Sequence, residues 1–405
     1  MSRFEPSFVA YVILICLLSI ADTCAQITAV RLGSLAGLCT LPTPQVLVLP
    51  NQFNRSLEAP LTSTADDVQL NDLSNCQFIS FDPSFEVLLG GNRTIYQLGG
   101  NFTSDVAFEG PVYLPETDEV VFNSFLTGQI NRVSLQTGQL TPVPLQSPVG
   151  GANGATNYKG GVAVTTFGNF VEEGVPPGVI QLNPYTGIWT WIINNWFGLH
   201  LGGPDDIVAL TDGSLIFTDT DYAYIFGVSP GSAQTQEAVY IIPPNGPARV
   251  LINNVPGTGT PNGVALSPDQ QTLYVSTTPL HITMPNNLPV SEKLTSHSIY
   301  AYDLALRNGG TFAQNMRVFC STDVGYPDGF KVDRDGNVWS SAGDGIHIFN
   351  PAGSLIGKII IPNASIPPNS EQTVNQLAFA GSRLVIMHHT NVLMLPLNVT
   401  GPILA

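Results

Sequence analysis

One local pattern recurs along this chain and limits what it can fold into. A turn carrying a polar residue leads into an apolar strand, an Asp/Asn-Gly or Pro-Asp turn follows, and a second apolar strand completes the unit. The clearest copies are Pro261-Asn-Gly-Val-Ala-Leu-Ser-Pro-Asp-Gln-Gln-Thr-Leu-Tyr-Val-Ser and Pro327-Asp-Gly-Phe-Lys-Val-Asp-Arg-Asp-Gly-Asn-Val-Trp-Ser. Others begin at Pro204-Asp-Asp-Ile and Glu109-Gly-Pro-Val, with weaker ones at Asn153-Gly-Ala-Thr and Asn375-Gln-Leu-Ala. From 109 to 153, 205, 262, 328 and 375 the steps are 44, 52, 57, 66 and 47 residues. A four-stranded propeller blade needs roughly 40 to 50, and inserted loops account for the longer steps.

The expected fold is therefore all-β: a six-bladed β-propeller. One blade cannot bury its own faces, and stacking around an axis removes that problem. The last copy has only about 30 residues before the C-terminus, so the ring should close with a strand from about 78–104, such as the run at Phe78 or the one at Val87. Residues 26–77 then form an irregular N-terminal extension and 78–405 the propeller. A repeated sandwich is the alternative, but it gives no reason for a polar residue to recur at one phase.

Ahead of this lies an apolar run, Phe8 to Ile20, preceded by Arg3 and followed by the small residues at Thr23-Cys24-Ala25. Thirteen apolar residues are too few for a span of ~20, so 1–25 reads as a secretory signal peptide and the mature chain has no membrane span. Export leaves Cys39, Cys76 and Cys320; the first two share the N-terminal region and should form a disulfide, with Cys320 free in a buried strand. Sequons at Asn54, Asn92, Asn101, Asn363 and Asn398 suit a glycosylated, extracellular protein. Only 11% of residues are charged, which excludes disorder, and 30 acidic against 14 basic residues repel nucleic acid. A small neutral ligand fits better.

In a propeller, equivalent turns converge at one end of the central channel. Here they hold Glu109, Asn153, Asp205, Asn262, Asp328 and Asn375, an oxygen-rich set without sulfur or histidine. Hard cations prefer such ligands, and Ca²⁺ accepts many oxygens of mixed charge more readily than Mg²⁺ does. One Ca²⁺ in the channel is the expectation. The bland reading is that Asn-Gly and Asp-Gly simply make turns, but six copies in phase weigh against it.

These residues carry a resemblance. Glu109-Gly-Pro, Gly203-Pro-Asp-Asp with Asp212-Gly-Ser-Leu-Ile-Phe-Thr-Asp, Pro261-Asn-Gly, and Pro327-Asp-Gly with Asp335-Gly-Asn-Val-Trp together resemble the senescence marker protein / gluconolactonase / regucalcin family. The secreted form and long insertions are similar to its fungal lactonohydrolase-like branch. The resemblance, over about residues 105–400, implies a Ca²⁺-dependent hydrolase of lactones or related activated esters. It implies Glu109, Asn262 and Asp328 as metal ligands, with Asp205 at a position usually filled by Asn. The added charge should tighten metal binding and could weaken the metal as a Lewis acid. In that scheme the metal polarises the carbonyl, and Asp328, or else Glu109, is the general base that activates water; Asn153 and Asp206 orient substrate. A non-catalytic, calcium-stabilised propeller acting as a binding or cell-surface protein is the alternative, and a propeller enzyme of other chemistry is a third.

Other constellations carry less. No Ser lies in a G-x-S-x-G elbow, so a serine triad lacks support. His388 and His389 face opposite ways on a strand, and His200 is expected to pack. Trp189 and Trp191 alternate as strand residues do, which suggests inter-blade core rather than a sugar platform.

Overall fold

The computed structural model describes residues 27–30, 37–40, 76–100, 109–124, 128–253, 259–279, 297–361, 374–388 and 391–402. The expected signal peptide and the sequons at Asn54, Asn101 and Asn363 lie outside them. Six sheets, antiparallel apart from one added edge strand, follow one another around an axis, as a six-bladed propeller. Blades one to four each take four consecutive strands, beginning at Glu109–Leu114, Ala152–Tyr158, Pro204–Ala209 and Gly259–Leu266. Blade five begins at Phe330–Val332 and blade six at Gln376–Phe379.

The chain upstream of blade one completes the last two blades. Ile95–Leu98 pairs with Asn391–Pro396 and supplies the fourth strand of blade six. Phe78–Ser80 does not close the ring; it extends blade five beyond Leu355–Ile360. Residues 87–89 are helical, in Pro83–Leu89. That helix starts where Asp82 accepts the Ser84 N–H (2.8 Å) and Pro83 needs no donor, and its Phe85 packs where Gly357 leaves room for the ring. Two short strands are described in the N-terminal extension. Thr28–Val30 pairs with Ile95–Leu98, and Leu38–Thr40 lies parallel to Phe78–Ser80. Both short strands cover sheet edges that would otherwise expose unpaired backbone. Cys39 and Cys76 form a disulfide beside this edge, and Cys320 is free and buried.

Apolar clusters fill the spaces between neighbouring blades, such as the one joining Val112 and Val121 to Val164 and Ile180, with Trp189 and Trp191 packed against it. Blade six is pinned to blade one by Arg383, which donates to both oxygens of Asp118. Asn92 and Asn398 are exposed, although the Asn398 amide donates to the Val87 carbonyl (3.2 Å).

Candidate active site

Every inner strand starts at the same end of the channel. Glu109, Asn153, Asp205 and Asn262 lie within the first four residues of the inner strands of blades one to four, and Asp328 and Asn375 just precede those of blades five and six. In the first four blades the pairing of inner and second strands shifts register at this point: between Glu109 and Val112, Val164 and Thr166, Pro204 and Ile207, and Pro261 and Val264. Such bulges release a residue from the ladder and re-aim its side chain.

A second repeated feature fixes the ring. In each of these blades a polar side chain of the second strand reaches the carbonyl of the next blade's channel residue: Asn123 to Asn153, Thr165 to Asp205, Thr218 to Asn262 (2.7 Å) and Ser276 to Asp328 (2.8 Å). Such contact needs backbones to approach closely. A Cβ on Gly110, Gly154 or Gly263 would collide with the carbonyl oxygen of Asn153, Asp205 or Asp328. The Gly of the repeated motif is therefore a spacer between blades as much as a turn residue. Sequence reasoning missed the second-strand partners, although they follow the channel residue of their own blade by 12 to 14 positions.

The two blades without that Gly carry Asp206 and Gln376, and these meet: Gln376 Nε2 donates to Asp206 Oδ2 (3.2 Å). Asp206 also accepts the N–H groups of Ile207 (2.9 Å) and Val264 (3.0 Å), and Lys331 Nζ stands 3.8 Å away. Its carboxylate is thus engaged within the chain. Lys331 also lines a cavity of about 450 Å³ at the opposite end of the channel, with Tyr113, Asn157, Leu266 and Phe379. Among the described residues no carboxylate lines that cavity.

At that end Glu109, Asn153, Asp205 and Asn262 are buried. Burial pushes the Glu109 carboxyl well above its ordinary range, and the charges of Asp328, Asp205 and Asp206 push it further. Asp205 is raised in the same way by burial, then Asp328 and Asp206, while the Asn153 amide opposes the rise. Asp328 is raised to about 7 by burial and by Asp206, against a hydrogen bond from Asn262. Asp328 bears on both Glu109 and Asp205, and Asp205 on Glu109, so the structure brings these three acids near one another.

Two buried oxygens of the set, Asn153 Oδ1 and Asp205 Oδ2, have no hydrogen-bond partner. Unpartnered acceptors among mutually repelling carboxylates fit a cation. Among the described residues no three His, Cys, Asp or Glu side chains alone form a metal-binding group, so the amides of Asn153 and Asn262 would have to share in holding one. Asn375 is buried at the same level with its Nδ2 unpartnered.

Tyr222 is an unforeseen neighbour. It opens a one-turn helix, Tyr222–Ile225, inserted into blade three, and its hydroxyl meets Thr278 Oγ1 (2.8 Å), which also receives Asn262 Nδ2 (3.3 Å). Burial and the charges of Asp205 and Asp328 raise the phenol well above its usual range. No repeat announces it, because this helix has no counterpart among the described residues of the other blades. His200 is exposed and edge-on to Phe170. His388 is buried in blade six, and His389 lies outside the described residues.

The chain is 26% identical over 336 residues to the lactonohydrolase oryL of Aspergillus oryzae, spanning 79% of this chain and 74% of that protein. It is 26% identical to the lactonohydrolase oryH of the same fungus, over 85% of each chain. Its fold matches that of a gluconolactonase from Xanthomonas campestris with a TM-score of 0.63 and 25% identity, over 78% of this chain and 94% of that one. A calcium-binding protein, regucalcin, from Agrobacterium tumefaciens shares the fold at a TM-score of 0.50 and 17% identity, over 74% of this chain and 95% of that one. Residues 108–370 match the family described as SMP-30/Gluconolactonase/LRE-like region, and the chain belongs to that family.

Proposed function

We propose that this protein is an exported hydrolase of lactones that works with a divalent cation, Ca²⁺ by the chemistry of its ligands. The observation that carries the reading is the convergence of Glu109, Asp205 and Asp328 around the unpartnered oxygens of Asn153 and Asp205. The names of the lactonohydrolase and gluconolactonase relatives support the reaction class. The Cys39–Cys76 disulfide suits an oxidising compartment.

Glu109, Asp205, Asn262 and Asp328 would hold the cation, with Asn153 beside them. Bound there, a cation supplies Lewis acidity toward a carbonyl oxygen and charge stabilisation for the oxyanion. The rest falls to the chain. Asp328 accepts a proton from water as the water oxygen bonds to the carbonyl carbon; the ring C–O bond then breaks, and the departing alkoxide recovers the proton. One water is consumed and a hydroxy acid results. The Asn153 side chain orients the lactone, and Tyr222 walls the entrance. A carboxylate held beside a cation is a weak base, which suits an activated ester better than an amide.

The test is pH-stat hydrolysis of a panel of aldonic and aliphatic lactones, with and without a chelator, for the wild type and Asp328→Ala. Turnover that disappears with chelation and with the substitution is the expected result. If no lactone is turned over while chelation merely lowers the melting temperature, the hydrolase reading fails.

A further inference from the structure

The entrance to the acid cluster is aromatic on the side of blades two and three. Phe167 lies 5.8 Å from Tyr222 and 6.1 Å from Phe226, stacked on the latter with 12° between ring planes, and Tyr222 and Phe226 are 5.6 Å apart. This cluster runs from the channel residues to solvent: the Tyr222 hydroxyl and the Asn262 amide meet the same Thr278 Oγ1 (2.8 and 3.3 Å), whereas Phe226 is 51% exposed. The loop after Phe167 is tied to the same insertion, since Phe170 and Val171 both donate their N–H to the Val228 carbonyl (2.9 and 3.3 Å). The two loops expose Phe170, Val171, Tyr224, Ile225 and Phe226 together. Tyr326, from blade five, is near enough to Tyr222 to raise its phenol further.

Apolar side chains in solvent at a site entrance mark a surface that something covers. Continuity with the acid cluster identifies the occupant as the substrate. A polyhydroxylated lactone needs several hydrogen-bond partners on its ring, but the aromatic side of this entrance offers only phenol hydroxyls, and that of Tyr222 is already engaged by Thr278. An alkyl or aryl substituent needs only apolar area.

We infer that the substrate is a lactone bearing an apolar alkyl or aryl substituent, which lies along Tyr222 and Phe226 and is covered by Phe170, Val171 and Ile225. This rests on the hydrolase reading and narrows it. The reaction that supplies such a substrate must close a hydroxy acid of fatty or aromatic character into a ring.

The test measures kcat/KM on glucono-δ-lactone, δ-valerolactone and δ-dodecalactone for the wild type, Phe226→Ser and Ile225→Ser. Ile225→Ser provides a second probe should Phe226→Ser unfold through loss of the Phe167 contact. The wild type should prefer δ-dodecalactone to glucono-δ-lactone by at least roughly tenfold. Either substitution should lower kcat/KM for δ-dodecalactone about tenfold more than for δ-valerolactone, chiefly by raising KM. Preference for the sugar lactone, or an alkyl preference that neither variant alters, overturns the inference and leaves the hydrolase reading standing. Turnover of none of the three overturns both. Binding of the wild type to phosphatidylcholine vesicles that is lost in the variants, with lactone selectivity unchanged, assigns the apolar rim to a lipid surface and also overturns it.

Discussion

In blade five, Asp344 lies in the turn after Val338–Ala342, at the same end of the propeller as Asp328, and is paired with Lys358 and His347 of its own chain. Lys358 Nζ is 3.0 Å from Asp344 and 2.7 Å from Asp323, and His347 Nε2 is 2.6 Å from Asp344. Burial alone would raise Asp344, but His347 and Lys358 hold it well below the usual carboxylate range. The channel acids are buried too and go the other way. Lys331 offsets only part of the repulsion on Glu109, while Asp205 and Asp328 have an amide apiece. Burial is common to both groups; the difference is whether the chain supplies the compensating charge. On the proposed reading, the charge that the chain does not supply to its three channel acids comes from a cation.

The largest separation between the two groups should be in activity. Asp328→Ala should lower lactone turnover by roughly 10²- to 10⁴-fold, the usual contribution of a positioned general base. Asp344→Ala should leave turnover by the folded protein largely intact, since Asp344 belongs to the blade-five pairs. Steady-state rates at matched folded concentration decide this, and equal losses in both variants would end the distinction.

The channel acids were readable from sequence because the fold repeats: six polar residues in phase imply one axis. What those positions need from their neighbours was less readable. Gly110, Gly154 and Gly263 look like turn glycines, and their service as spacers between blades appears only when the adjoining carbonyls are in place. Thr165, Thr218 and Ser276 are ordinary strand residues by composition, so nothing local marks them as holding the next blade. Tyr222 comes from an insertion whose helix has no counterpart among the described residues of the other blades. The blade-five cluster was equally hidden, because Asp323, Asp344, His347 and Lys358 converge through the pairing of three strands and a loop rather than through spacing in the chain.

Stability should separate the groups next, and with opposite signs. Lys358→Met leaves Asp344 and Asp323 without their ammonium partner and should cost about 3–5 kcal/mol, as breaking a buried pair does. Asp205→Asn removes a charge from a repelling set, so in chelator it should raise the melting temperature while weakening cation binding. Urea and thermal unfolding of the two variants check this. Destabilisation by Asp205→Asn in chelator would show that the channel acids are not in conflict.

The pH dependence gives a smaller but independent contrast. A carboxylate raised by folding adds stability that is complete below its unfolded value, near 3.8, and is lost as pH rises through its folded value, about 7 for Asp328. A carboxylate lowered by folding, as Asp344 is, adds stability that is complete above its unfolded value and is lost as pH falls. In chelator the protein should therefore melt lower at pH 8 than at pH 6, and saturating Ca²⁺ should shrink that gap by binding the ionised acids. Below about pH 4 melting should fall with or without cation, because the blade-five pairs are then being protonated. A gap between pH 6 and 8 that Ca²⁺ leaves untouched would mean that the channel acids are not what titrates.

The smallest effect is expected where a carboxylate has its partner and also has water. Asp118 accepts from both Arg383 Nη1 (3.1 Å) and Nη2, as well as from the Tyr113 hydroxyl (3.0 Å), and the Arg383 hydrogen bond holds it below its ordinary range despite some burial. Both side chains are about one-quarter to one-fifth exposed, at 25% and 20%, so solvent screens the pair. Asp118→Asn keeps the shape and an acceptor while removing the charge, and should cost about 1 kcal/mol, near the upper end for such pairs. The pair bridges the last blade to the first, so the loss should appear in the unfolding midpoint without a change in lactone turnover. Raising the salt concentration should weaken the wild type toward the variant. A loss as large as that of Lys358→Met would mean that ring closure depends on this one bridge rather than on the strand Ile95–Leu98 and the apolar packing between blades six and one.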